Sequence, residues 1–109
     1  MVDAPKKLPR FRIRIKGKSM LKKYPHGSLV EFQEVEKQSE LEIGRDYLVE
    51  TTWGRMAFGR LMHFDWSPRG SGIALYHTNI LKKEKFPWGF AFFAESIKRL
   101  AVAEYILRR

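Results

Sequence analysis

Arg10-Phe11-Arg12-Ile13-Arg14-Ile15-Lys16 alternates strictly between cationic and apolar side chains. Because successive side chains of a β-strand point to opposite faces, this period of two predicts a strand with its apolar residues toward a core and its cations toward solvent. The chain continues as Gly17-Lys18-Ser19-Met20. Glycine tolerates backbone angles that end a strand abruptly, so we expect a turn that presents the Ser19 hydroxyl. Taken alone, such a short motif is more often an ordinary turn than a site.

The remainder of the chain also has the character of short strands. Residues 1–9 hold two prolines and no periodicity, so we predict a tail or linker stub followed by one β domain over residues 10–109. Trp53-Gly54 separates two strand-like runs, which is typical of a hairpin. Residues 95–100 fit a helix or a strand equally well, because periodicity does not decide short apolar runs. The predicted further strands are Leu29–Val35, Asp46–Thr52, Met56–Met62, Ile73–Tyr76 and the chain from residue 99 onward.

Length and composition exclude several classes of protein. A chain of 109 residues with 44% hydrophobic and 14% aromatic residues is that of one small globular domain. The absence of cysteine excludes disulfides, thiolate catalysis and thiolate zinc sites. No apolar run approaches the roughly 18 residues of a membrane helix, so we expect a cytoplasmic protein with no membrane partner. No phosphate-binding glycine loop or metal-ligand pattern is present, and we expect no cofactor and no metal.

The net charge of +9 is concentrated near the N-terminus. Residues 1–23 hold nine Lys or Arg against the single acid Asp3, whereas the other 86 residues hold twelve bases and eleven acids. Such a segment attracts polyanions, but it also fits the solvated face of an edge strand, where cations discourage aggregation. We favour the solvated face. The candidate nucleic-acid or polyanion contacts are Arg10, Arg12, Arg14, Lys16, Lys18, Lys22 and Lys23.

An aromatic run precedes the last strand. It comprises Phe86, Trp88, Phe90, Phe92 and Phe93. Aromatic side chains in such a run can stack on the bases of single-stranded nucleic acid. More often they form core or a subunit surface, and aromatic residues are enriched in protein interfaces. We take Trp88, Phe90, Phe92 and Phe93 as the candidate interface.

The order of these motifs resembles a known family. A strand leads into Gly17-Lys18-Ser19-Met20, then Pro25-His26-Gly27, a hydrophobic strand, a variable loop, Ile43-Gly44 opening another strand, a hairpin and Gly59-Arg60-Leu61. This pattern is similar to the C-terminal domain of LexA, UmuD and the lambda-type phage repressors. Asn79 with Phe86-Pro87 is similar to a segment between late strands of that family. The resemblance covers residues 10–109.

The resemblance implies a mostly β fold of bent antiparallel sheets, or a small distorted barrel with little helix. It also implies a Ser-Lys dyad that cleaves the chain's own linker. Ser19 matches the nucleophile, followed by Met20, and Arg60 matches the residue after the catalytic lysine. Gly59 stands where the family has that lysine.

This departure removes the general base. A serine hydroxyl is a poor nucleophile unless a neighbouring base, such as a lysine with a lowered pKa, takes its proton. Arg60 is no substitute because guanidinium stays protonated in proteins. No lysine occurs between Lys37 and Lys82, and no Ala-Gly or Cys-Gly cleavage pair precedes the domain.

The histidines His26, His63 and His77 are the other bases on which a Ser-His pair could draw. His63 lies four residues after Gly59, so we expect it on the same strand face but about 13 Å along the strand. That distance is too long for a direct substitute. For each histidine an ordinary surface or half-buried role is the preferred interpretation.

The expected function is therefore association by a catalytically degenerate LexA-like domain in transcription regulation, in an SOS-response or phage setting. The expected partner is a second copy or a repressor-like protein, with DNA reached through that partner or through a missing N-terminal domain. Two alternatives stay open. One is an active serine peptidase with another base, which cleaves itself or a partner repressor, and the other is a nucleic-acid binder that uses residues 10–23.

Overall fold

A computed structural model describes residues 8–16, 24–36, 39–67, 72–76 and 89–108 of the chain. Within these residues it contains strands and one short 3-10 helix at Ala94–Ser96. No helix of the described residues is long and apolar enough to cross a membrane. The strands are β1 (Arg10–Arg14), β2 (Leu29–Val35), β3 (Asp46–Thr51), β4 (Met56–Asp65), β5 (Gly72–Tyr76), β6 (Gly89–Phe93) and β7 (Ile97–Arg108).

The seven strands form one sheet in the order β1-β2-β7-β3-β4-β5-β6, and every pairing is antiparallel. The sheet curls into a half-barrel, which confirms the expected mostly β architecture of bent antiparallel strands. The last strand in sequence, β7, lies between β2 and β3 in the middle of the sheet. Strands β2 and β3, which follow each other in sequence, therefore do not pair directly, and β7 lies between them.

The sheet carries a hydrophobic core on each of its two faces. Because side chains alternate along a strand, Tyr47 and Val49 of β3 enter one core while Leu48 between them enters the other. The first core comprises Leu41, Tyr47, Val49, Ala57, Leu61, Ile73, Leu75, Phe92, Ile97, Leu100 and Val102. The second core comprises Ile15, Tyr24, Val30, Phe32, Leu48 and Ala101. Strand β3 and residues 100–102 of β7 are thus buried on both faces of the sheet.

Strand β1 has the predicted alternation. Phe11 and Ile13 pack against the second core and the arginines between them are exposed. Regular pairing with β2 stops at Arg14, but Ile15 still donates its N–H to the Ser28 carbonyl at 2.8 Å. Gly27, whose φ is 91°, donates in return to the Ile15 carbonyl at 2.7 Å. These two bonds join the chain on either side of residues 17–23.

Strand β4 contains a β-bulge that the sequence does not reveal. Leu61 pairs with Leu75 and His63 with Ala74, so Met62 is an extra residue on its strand. The extra residue reverses the alternation, because Leu61 and Phe64 both contribute to the first core. His63 consequently lies on the face opposite to Gly59. The expectation that the two share a face is wrong.

Candidate functional sites

The site residues predicted from the sequence are only partly described. Ser19, Met20, Lys18, Lys22, Lys23, His77 and Trp88 lie outside the described residues. Gly59 is buried in the middle of β4 and pairs with Tyr47. Because Ala57 and Leu61 on either side of it belong to the first core, a side chain at position 59 would project into that core. Arg60 points to the other face of the sheet.

A buried carboxylate organises the surroundings of Arg60. Asp46 opens β3 and its side chain is 1% exposed. The Tyr24 hydroxyl donates to Asp46 Oδ2 at 2.7 Å, and Arg60 Nε lies 3.4 Å from Asp46 Oδ1. The Tyr24 ring meets Phe58 edge-on, with ring centroids 4.8 Å apart. A buried charge is costly without partners, and here a phenol and a guanidinium both contact the same carboxylate.

This Tyr24–Asp46–Arg60 cluster anchors the chain at the point where residues 17–23 end. Sequence reasoning singled out only Arg60 of the three. The one available signal was an acid at the start of a strongly apolar strand, which does not identify its partners. In this cluster the Asp46 carboxylate accepts hydrogen bonds from two donors, the Tyr24 hydroxyl and the Arg60 guanidinium. Its phenol and guanidinium each donate toward the carboxylate, so neither is disposed to accept a proton from a serine.

Burial, the hydrogen bond to Asp46 and the negative charge of Asp46 raise the pKa of Tyr24 far above its usual value, although Arg60 and Arg45 oppose the shift. Tyrosine in the unfolded chain ionises near about pH 10. The raised pKa therefore makes its full contribution to the free energy of unfolding below about pH 10, and this contribution is lost as the pH rises further. We expect Tyr24→Phe to flatten the alkaline decline of the free energy of unfolding, measured by urea titration from about pH 8 to pH 11.

Tyr105→Phe is the matched control for this prediction, since the Tyr105 side chain is 57% exposed. It should leave the alkaline decline as steep as in the parent protein. An unchanged decline in the Tyr24→Phe protein would show that the buried phenol does not cause the alkaline loss.

The arginines of β1 face carboxylates of neighbouring strands. Arg10 lies 3.6 Å from Glu31 and 3.7 Å from Glu104, and Arg12 lies 3.6 Å from Glu31. Arg14 Nη1 donates to the Gly27 carbonyl at 2.7 Å. Exposed pairs of this kind contribute little stability, but they place negative charge directly beside the cations.

The surrounding charge balance agrees with this local pairing. The described residues hold ten Lys and Arg and ten Asp and Glu, so their formal charges cancel. The chain's net charge of +9 therefore comes from the residues outside the described ranges. The geometry of β1 thus favours a solvated edge over a dedicated polyanion surface. Lys16 is exposed at the end of this edge.

The aromatic candidates divide between core and surface. Phe92 is 9% exposed and belongs to the first core. Phe93, the next residue, points to the other face and is 72% exposed. Both lie in β6, which is the edge strand of the sheet farthest from β1, and Phe90 lies in the same strand.

Among the described residues, no group of three His, Asp or Glu side chains is placed to hold a metal ion.

Comparisons of the chain with protein families, with curated proteins and with solved structures find no match. A function for the chain therefore has to be inferred from the geometry of its described residues and from the motif order of its sequence.

Proposed function

We propose that this chain is a LexA-like β domain that has lost peptidase activity and acts through protein association, in the first place with a second copy of itself. One observation carries the proposal: Phe93 is 72% exposed at the end of an edge strand that has no charged residue. A large apolar side chain in such a position is typical of an interaction surface. A repressor-like protein is the second type of partner consistent with this surface.

The motif order and the curled antiparallel sheet support the LexA-like part of the proposal. The loss of activity rests on Gly59. Glycine cannot accept a proton, and the neighbouring side chain, Arg60, points to the opposite face and contacts Asp46. The only lysines among the described residues, Lys16 and Lys98, lie on or beside other strands. A serine presented near Gly59 would accordingly have no β4 lysine to activate it.

Involvement in DNA transactions is then indirect. The described residues hold equal numbers of basic and acidic side chains, and Arg10 and Arg12 of β1 lie beside Glu31 and Glu104. Binding to DNA by phosphate contacts needs several cations free to release counterions. We propose that a DNA-bound partner, rather than this domain, supplies that contact.

Light scattering tests the association. We expect a mass that rises with concentration from 12.9 kDa toward twice that value. Phe93→Lys should shift the dissociation constant upward by at least about tenfold, because a charge would be desolvated in the interface. Trp53→Lys is the matched control, since Trp53 is 64% exposed in the β3–β4 turn, and it should leave the dissociation constant unchanged. A mass of 12.9 kDa at every concentration would refute self-association.

The two alternatives give different results. A cut in the chain or in a partner repressor that Ser19→Ala abolishes would establish a peptidase with an unrecognised base. DNA binding that weakens steeply with salt, and collapses when Arg12, Arg14 and Lys16 are replaced together, would establish direct nucleic-acid binding. Either result replaces the association proposal.

A further inference from the structure

The outer edge of β6 presents backbone groups that no described strand pairs with. On its inner side, β6 pairs with β5 through Gly72↔Phe93, Ala74↔Ala91 and Tyr76↔Gly89. The Phe92 carbonyl oxygen lies only 2.5 Å from where a Cβ on Gly72 would be, so this carbonyl is directed at β5. Because consecutive residues of a strand direct their N–H and C=O groups to opposite edges, Ala91 and Phe93 direct theirs outward.

The two edges of the sheet differ in how they are protected. The β1 edge carries arginines at alternate positions, which discourage the addition of another strand. Strand β6, Gly89-Phe90-Ala91-Phe92-Phe93, contains no charge and no proline. An edge without these devices is a template for strand pairing, and Ala91 and Phe93 are both exposed beside it.

From this geometry we propose that two copies of the chain pair β6 with β6 in antiparallel fashion, about a two-fold axis at Ala91. The inference rests on the proposed association and specifies its contact. In this register Ala91 lies opposite Ala91 of the second copy, and Phe93 lies opposite Gly89. These residues direct their backbone groups outward, so each becomes a hydrogen-bonded pair.

The same register explains the side chains. Residues 89, 91 and 93 share one face of the strand, so the exposed Phe93 ring would lie over a glycine that has no side chain to collide with it. An aromatic ring across from an edge glycine covers the exposed backbone there. The strand is therefore complementary to itself, with one Phe93–Gly89 contact on each side of the axis.

A second copy fits this edge better than other occupants. An isologous contact uses the same strand twice and closes after two copies. Pairing of β6 with the β1 edge of another copy would set three arginines beside an uncharged strand, and it would continue from copy to copy into a ring or an open filament. The contact is small, because β6 supplies 5 residues from each copy, whereas a standard stable interface uses about 20–30 residues a side. We accordingly expect a dissociation constant on the order of micromolar.

Disulfide trapping tests the register. The chain has no cysteine, so Ala91→Cys creates a protein with a single thiol. Hydrogen-bonded antiparallel partners have Cα atoms about 5.5 Å apart, within the range of about 4.4–6.8 Å that a disulfide spans. We expect mild oxidation to convert most of the Ala91→Cys protein into a covalent dimer. Thr52→Cys, exposed in the β3–β4 turn, is the control and should remain largely uncoupled.

A proline variant tests the backbone contact separately. Ala91→Pro removes an N–H that points away from β5, so the pairing within the monomer keeps all its bonds. We expect the dissociation constant to rise at least about tenfold, while Ala91→Ser leaves it unchanged. If light scattering shows a dimer that neither forms a disulfide in the Ala91→Cys variant nor responds to Ala91→Pro, the β6 pairing is wrong and association occurs elsewhere. If the parent protein is a monomer throughout, both proposals fail.

Discussion

Replacing Phe32 with alanine is expected to lower the free energy of unfolding by about 3–5 kcal/mol. Phe32 lies in β2 with a side chain that is 0% exposed. Its ring stacks on Phe11 at 5.6 Å and meets Phe58 edge-on at 5.3 Å, so it joins β1, β2 and β4 in the second core. Deleting it removes both aromatic contacts and leaves a cavity that three strands would have to collapse to fill.

Urea unfolding followed by circular dichroism measures this loss, and Phe93→Ala is its control. Phe93 is 72% exposed, so its truncation should change the stability by less than about 0.5 kcal/mol at concentrations where the protein is monomeric. A Phe32→Ala protein as stable as the Phe93→Ala protein would contradict a closed second core.

Gly72→Ala should be the next most damaging change, with an expected loss of about 1–3 kcal/mol. The new Cβ would lie 2.5 Å from the carbonyl oxygen of Phe92 and 3.4 Å from the carbonyl carbon of the same residue. These are backbone atoms, so β6 itself must move away from β5. We therefore expect amides of β6 to exchange faster with solvent, and self-association to weaken, because the edge strand is displaced.

Gly54→Ala distinguishes crowding from backbone strain. Gly54 has a φ of 88° in the β3–β4 turn, with no atom within 4 Å of an added Cβ. Its replacement should cost about 1–2 kcal/mol through the left-handed conformation and should leave β6 exchange unchanged. If Gly72→Ala leaves exchange in β6 as slow as in the parent protein, the close approach of the two strands is not what requires a glycine.

Gly59 and the polar cluster beside it lie on different faces of the sheet. Gly59 faces the first core, whereas Arg60 and the Tyr24–Asp46 pair occupy the second face. The β4 bulge places His63 on that second face too. Position 59 is therefore occupied by a buried residue with no proton-accepting side chain.

Several features of the fold followed from the sequence. The alternation in residues 10–16 predicted β1 and its apolar face, and the run Leu29–Val35 coincides with β2. The strand over the last residues was predicted partly from the family resemblance, and it is present as β7. The hairpin around Trp53-Gly54 was predicted from its turn residues. The predictions of β1, β2 and the hairpin depend on side-chain alternation and turn residues, which act between neighbours in the chain. Strands and tight turns of this kind can therefore be predicted from the local sequence.

Tertiary structure alone decided the rest. The central place of β7, the edge position of β6, the bulge at Met62 and the Tyr24–Asp46–Arg60 cluster each depend on partners distant in sequence. Periodicity states which side of a strand is apolar, but it does not state which strand lies beside it or in what register. Alternation also did not show that Phe92 is buried and Phe93 exposed. That difference depends on the order of the strands, which covers one face of β6 and leaves its outer edge without a neighbouring strand in the described chain.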